Sequence, residues 1–119
     1  MLIQATILSV FMNLMLAGPL GTTVEGGLDK LAIREVVRAN IGDVRECYNA
    51  ELVEDETAAG RVVVSFVIQP DGKVTKTDVP ESTMSERFDA CVSTAVTGWS
   101  FPTAGTSTSV VYPFEMSPG

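Results

Sequence analysis

Apolar residues recur along this chain in two distinct rhythms. After Asp29, the residues Ile33, Val36, Val37, Ile41, Val44, Cys47, Tyr48 and Leu52 return at three- and four-residue steps. Arg34, Glu35, Arg38, Asp43, Arg45, Glu46 and Glu51 fall mainly on the other side. That spacing predicts an amphipathic helix of about six turns, with Asp29 placed to cap it and Gly42 weakening its middle. From Val62 to Ile68 the rhythm changes to two. Val62, Val64, Phe66 and Ile68 share one face, and Val63, Ser65 and Val67 the other, so both faces are apolar, as in a central strand. Pro70-Asp71-Gly72-Lys73 then supplies turn chemistry, and Val74 to Val79 returns as a second strand. Val74 and Val79 fall on opposite faces in strict alternation, which predicts a bulge near Asp78. Thr83 and Glu86 have capping-box spacing and open a second helix carrying Phe88, Cys91, Val92, Ala95, Val96 and Trp99 on one face. After Phe101-Pro102, Val110, Tyr112, Phe114 and Met116 alternate with Ser109, Val111, Pro113 and Glu115 in a last strand. Its proline marks it as an edge.

The order helix, strand, strand, helix, strand predicts an α+β domain: two helices packed on one face of a three-stranded antiparallel sheet, strand order 2-1-3. The second helix is a right-handed crossover. Ahead of this domain, Leu2 to Ala17 is nearly all apolar or small, and no charge appears before Glu25. The stretch is short for a membrane span of about 20 residues, and it lacks the positive start of a secretory signal. Residues 1–17 are read as a signal peptide or membrane anchor, with a soluble amphipathic helix as the third alternative. Residues 18–27, rich in Gly, Thr and Pro, are read as a linker, and residues 28–117 as the folded domain.

Composition narrows the function. The chain has 119 residues, 8 Lys and Arg against 15 Asp and Glu, and a net charge of −7. That disfavours nucleic acid and unaided adsorption to anionic lipid, both of which need cationic side chains. There is no histidine and there are only two cysteines, so no metal set, no activated serine and no C-x-x-C redox pair can be assembled. Lys73 and Lys76 read as solvated hairpin residues and Trp99 as core packing. Glu46, Glu51, Glu54, Asp55 and Glu56 read as a solvated helix end, with an acidic contact patch as the alternative. No cofactor and no catalytic residue is expected.

Cys47 and Cys91 carry two readings. In an exported protein they pair as a disulfide, and closing a loop of about 45 residues stabilises by about 4 kcal/mol in the loop-entropy account. In a reducing compartment they are free buried thiols acting as small hydrophobes. The last strand also carries two: as an edge, Val110, Val111, Tyr112 and Phe114 accept a strand from a partner, or Pro113 blunts them.

Several of these residues form a recognisable series. Cys47-Tyr48 on the first helix, Gly60-Arg61-Val62-Val63-Val64 opening the strongest strand, Cys91-Val92 on the second helix, Trp99 with Phe101-Pro102, and Val111-Tyr112-Pro113-Phe114 occur in this order. Over residues 26 to 117 the chain resembles the AgmX/PglI C-terminal domain family of myxobacterial motility proteins, itself similar to the TonB C-terminal domain. The resemblance implies a periplasmic or cell-envelope domain linked to gliding motility or transport. It implies a helix-to-helix disulfide at Cys47 and Cys91. It also implies non-catalytic binding of another envelope protein by strand addition, here at Val110, Val111, Tyr112 and Phe114. Membrane contact is then confined to the N-terminal segment. The alternative is a self-associating structural component of an envelope assembly, a homo-oligomer. Residues 18–27 reach at most about 35 Å fully extended, so the force-transmitting role of TonB is not carried over.

Overall fold

The computed structural model describes residues 21–118. The expected signal peptide or anchor, 1–17, lies outside the described residues, as does the start of the expected linker. The elements are β1 (Thr23–Gly26), α1 (Lys30–Ala39), α2 (Ile41–Glu54), β2 (Gly60–Ile68), β3 (Val74–Ser82), α3 (Glu86–Thr97) and β4 (Thr108–Met116). The four strands form one sheet in the order β1-β4-β2-β3, and every neighbouring pair is antiparallel.

The expected arrangement of three strands, with the most apolar one between its hairpin partner and the last, is present as β3-β2-β4. Its inner face is the expected one. Val62, Val64, Phe66 and Ile68 of β2 and Val110, Tyr112 and Phe114 of β4 are all buried, and Ile33, Val37, Val44, Tyr48, Leu52, Phe88, Val92 and Val96 meet them from the helices. Burying each such side chain contributes roughly 1.5–3 kcal/mol before chain entropy is subtracted.

Two features of the expected architecture are corrected. The sheet has a fourth strand, β1, inside the segment read as linker: Thr23 pairs with Val111, Val24 with Val110, Glu25 with Ser109 and Gly26 with Thr108. Four residues with one partly buried side chain, Val24, carry too little periodicity to be seen as a strand; β4 supplies the template. The long first helix is two helices. The break falls at Asn40, two residues before the glycine expected to weaken it. The Asn40 side-chain amide donates to the Val36 carbonyl at 2.8 Å, and its backbone N–H is shared between the Val36 and Val37 carbonyls, both at 3.1 Å. Asparagine thereby competes with the regular helical ladder. α1 then lies over β4, with Arg34 and Arg38 close enough to act on the Tyr112 phenol, while α2 runs beside α3.

Caps and irregularities follow local chemistry. Asp29 caps α1, its carboxylate accepting from the Ala32 N–H at 2.9 Å. α3 is capped by Ser85, which accepts from the Phe88 N–H at 3.0 Å, and not by Thr83. Thr83 is engaged elsewhere: its hydroxyl accepts from the Arg61 N–H at 2.9 Å and its own N–H donates to the Arg61 carbonyl at 2.9 Å. The bulge expected near Asp78 is there twice. Between Glu81 and Asp78, and again between Asp78 and Thr75, β3 spends one residue more than β2. Pro80 lies in the first irregularity, and Lys76, at φ 53°, in the second.

The β2–β3 turn is held from outside. The Gly72 N–H donates to the Gln69 carbonyl at 2.8 Å, and the Phe101 N–H donates to the Gly72 carbonyl at 3.0 Å. Gly72 has φ 90°, and a Cβ there would sit 2.1 Å from the Phe101 carbonyl oxygen. Gly72→Ala is therefore expected to cost about 1–3 kcal/mol, from a disfavoured dihedral and a backbone collision together. Urea unfolding of the variant measures it, and an unchanged midpoint contradicts it.

Candidate functional site

The last strand was expected to be an edge along its whole length, and the structure divides it. Over Thr108 to Val111 its outer side is covered by β1, so Val110 and Val111 already have a strand partner there. β1 stops opposite Val111. Beyond it, Tyr112 to Met116 pair with β2 on one side; on the other, Gly21 lies against Pro113, where a Cβ on it would sit 2.9 Å from the proline Cγ, and Phe114 to Met116 have no ladder partner among the described residues.

Proline determines which groups face that open side. Pro113 has no N–H, yet the β2–β4 register runs without a shift through Val63–Pro113. Its missing donor therefore points away from β2. The same parity appears further along, where the Gly27 N–H donates to the Ser107 carbonyl at 3.4 Å. Odd-numbered residues of β4 thus turn their main-chain groups outward. Along the uncovered stretch these are the Glu115 N–H and carbonyl. At this end of the sheet Gly60, Arg61, Thr83, Glu115, Met116 and Ser117 line a cleft of about 270 Å³. Arg61 holds Glu115 at 2.9 Å and Glu81 at 3.6 Å. The opposite edge, β3, carries the two bulges and Pro80, features that discourage pairing.

The second assembly is the seam between α2 and α3, which run antiparallel. Cys47 and Cys91 are bonded, with Cα atoms 5.8 Å apart. One turn along, Glu51 of α2 accepts from the Nε and Nη2 of Arg87 of α3 at 3.2 and 3.1 Å. Between these rungs Tyr48 meets Phe88 edge to face at 6.4 Å between centroids. The pair sums match because residues four apart on each helix share a side, so Cys47 with Glu51 faces Cys91 with Arg87. Two expectations change here. Glu51, read as part of a solvated helix end, is 6% exposed and paired. Cys91, read on the apolar face, lies at the surface while Cys47 is buried. A fully apolar stripe and one with a sulfur at its margin look alike in sequence.

Two tyrosines close the seam and the sheet. The Tyr48 hydroxyl donates to the Ala58 carbonyl at 2.6 Å. Burial pushes its phenol up from the ordinary value of 10.0, and the negative charge of Asp55 adds to this. Burial also pushes up Tyr112, with Arg34 and Arg38 pulling the other way. Trp99, expected in the core, is 5% exposed, and its indole N–H donates to the Asp43 carboxylate at 2.8 Å, tying the end of α3 to the start of α2. Lys73 and Lys76 are exposed, as expected. Among the described residues no group of three or more His, Cys, Asp or Glu could hold a metal ion, and no helix is long and apolar enough to cross a membrane.

Two outcomes are expected. A double Cys47→Ala, Cys91→Ala variant loses about 4 kcal/mol of stability. Urea unfolding of the oxidised wild type with and without reductant should show a loss of similar size, and no difference would deny the clamp any energetic role. The second concerns alkaline pH. Tyr48 and Tyr112 keep their protons in the folded state at a pH where the unfolded chain has begun to lose them. Their contribution is therefore complete below pH 10 and is lost as pH rises through the higher folded values. The unfolding midpoint should fall above pH 10, and fall less in Tyr48→Phe.

With this geometry in place, comparison with known proteins is informative. Residues 51–116, more than half of the chain, match the family described as Gram-negative bacterial TonB protein C-terminal. Among solved structures, the solution structure of the Pseudomonas aeruginosa TonB C-terminal domain is 28% identical over 55% of this chain and 71% of its own, with a TM-score of 0.45. A Helicobacter pylori TonB C-terminal domain is 19% identical over 80% of this chain and 98% of its own, with a TM-score of 0.50, a likeness of fold. No curated protein sequence matches at a significant level. On the family match, and with an α+β fold of the same kind, this chain belongs to the TonB C-terminal domain family.

Proposed function

We propose that the domain is an envelope-side, non-catalytic docking module that receives an extended segment of another envelope protein along the outer edge of β4, from Phe114 to Met116. The observation that carries this is the mismatch between β1 and β4: four residues cover one end of a nine-residue strand. The Glu115 N–H and carbonyl then face outward with no ladder partner among the described residues. Strand addition satisfies such groups. Each hydrogen bond gained is worth only about 0.5–1.5 kcal/mol net, so side-chain contacts must supply the remainder. The cleft between Arg61 and Met116 offers room for them at the end of the strand.

The disulfide supports the compartment, since such bonds persist in oxidising surroundings such as the periplasm. Residues 1–17 would then serve for export or anchoring. A role in motility or transport rests on the AgmX/PglI resemblance. Relative to the sequence reading, the docking stretch moves toward the C-terminus: Val110 and Val111 give up their place to β1, Tyr112 lies beside the residues that precede it, and Phe114 remains.

The test uses a photo-crosslinking residue at Ser117, beside the open edge, and another at Thr75 on β3, in cells expressing the full chain. An adduct with an envelope protein is expected from Ser117 and not from Thr75. Glu115→Pro should abolish it while leaving the fold intact, because it removes only an outward donor and a half-exposed ion pair worth at most about 1 kcal/mol. An adduct from Thr75 alone, or one that survives Glu115→Pro in a folded protein, would overturn the reading.

A further inference from the structure

We propose that the Cys47–Cys91 bond is a thiol–disulfide exchange site, opened by an external thiol that attacks Cys91 and releases Cys47 while the domain stays folded. The two halves of the bond are unequally placed. Cys47 is 4% exposed and packs in the core, whereas Cys91 is exposed. On α3 the buried stripe is Phe88, Val92 and Val96, and Cys91 sits at its margin. The residues flanking the bond are short and exposed: Ala90 and Thr94 on α3, and Ala50, three residues past Cys47, on α2. The long side chain of Arg87, one turn back on α3, is drawn onto Glu51 by two hydrogen bonds.

Exchange is a displacement at sulfur. The attacking thiolate bonds to the Cys91 Sγ as the bond between the two protein sulfurs breaks. The electron pair leaves on Cys47, which takes up a proton. When the reagent is a dithiol, its second sulfur attacks the mixed disulfide and frees Cys91 as a thiol. The protein bond is then reduced, and the reagent is oxidised to a disulfide. Two factors oppose each other in the choice of sulfur. A buried thiolate is a poorer leaving group than an exposed one, which alone would favour attack at Cys47. Access works the other way and decides, because a reagent reaches Cys47 only after the helices part. Once the bond opens, the seam keeps the Glu51–Arg87 pair, the Tyr48–Phe88 contact and the Trp99–Asp43 hydrogen bond, none of which involves sulfur. The clamp is thus a redox-responsive joint between α2 and α3. It lies on the helices and not on the sheet edge, so this inference does not depend on strand addition.

Brief treatment of the oxidised full chain with cysteamine tests it, followed by acid quenching, maleimide labelling in denaturant and peptide mapping. The cysteamine adduct is expected on Cys91 and the maleimide on Cys47, at a rate proportional to the thiol concentration. A thioredoxin lacking its resolving cysteine, offered in place of cysteamine, separates the two kinds of reagent. A trapped mixed disulfide at Cys91 extends the site to protein dithiols, and its absence beside a cysteamine adduct restricts the site to small thiols. Single-cysteine variants give an independent reading. With both folded by circular dichroism, Cys47→Ala should react with cystamine more than about tenfold faster than Cys91→Ala, whose remaining thiol is buried. If either variant fails to fold, the mapping on the wild type decides alone. Adducts mainly on Cys47, or equally on both, overturn the proposal. So does a bond whose reduction stops rising with thiol concentration and proceeds only at the rate of unfolding.

Discussion

The unbroken antiparallel pairing of β2 with β4 is the constraint on which the rest of this domain depends. It brings residues some fifty positions apart into nine consecutive matched pairs, and it places Val62 opposite Phe114, Val64 opposite Tyr112 and Phe66 opposite Val110. A shift of one residue would turn this whole set toward the other face. Both helices of the first half and the crossover helix of the second pack on the surface so formed. The ladder also decides what is left over. Since Pro113 can keep its place only with its nitrogen turned away from β2, the outward parity of β4 follows, and with it the groups that β1 covers or leaves uncovered.

The α2–α3 seam makes a second layer of the same logic. The disulfide, the Glu51–Arg87 pair and the Tyr48–Phe88 contact join the two helices at matched positions. The ion pair is lopsided: Glu51 is buried while the Arg87 side chain is 60% exposed, so water screens the arginine and the gain is that of a half-surface pair. The covalent bond is what constrains the unfolded chain. The helices are thus clamped on one side of the sheet, and the uncovered end of β4 lies at the other end of the ladder from β1.

A domain of the TonB C-terminal family is a non-catalytic interaction module, and what this one presents among its described residues is two unequal sheet edges and an uneven surface charge. Its bulged β3 and its partly covered β4 are unequal edges. Its net negative charge conceals a basic α1, and that asymmetry is visible only once the helices are separated by the break at Asn40.

The periodicities of the sequence determined the elements of the core, their order and the faces they bury, because a side chain's direction follows from its spacing along a helix or strand. The turn at Gly72 and the irregularity around Asp78 were legible for the same reason: each is local chemistry. What depended on distant partners was not. β1 is a strand only because β4 lies beside it, Thr83 gives up capping to bond Arg61, and Glu51 is buried only because Arg87 arrives from another helix. The length of free edge on β4 belongs to this second class: it is the difference between two strands far apart in the chain, a quantity that exists only after the sheet has formed.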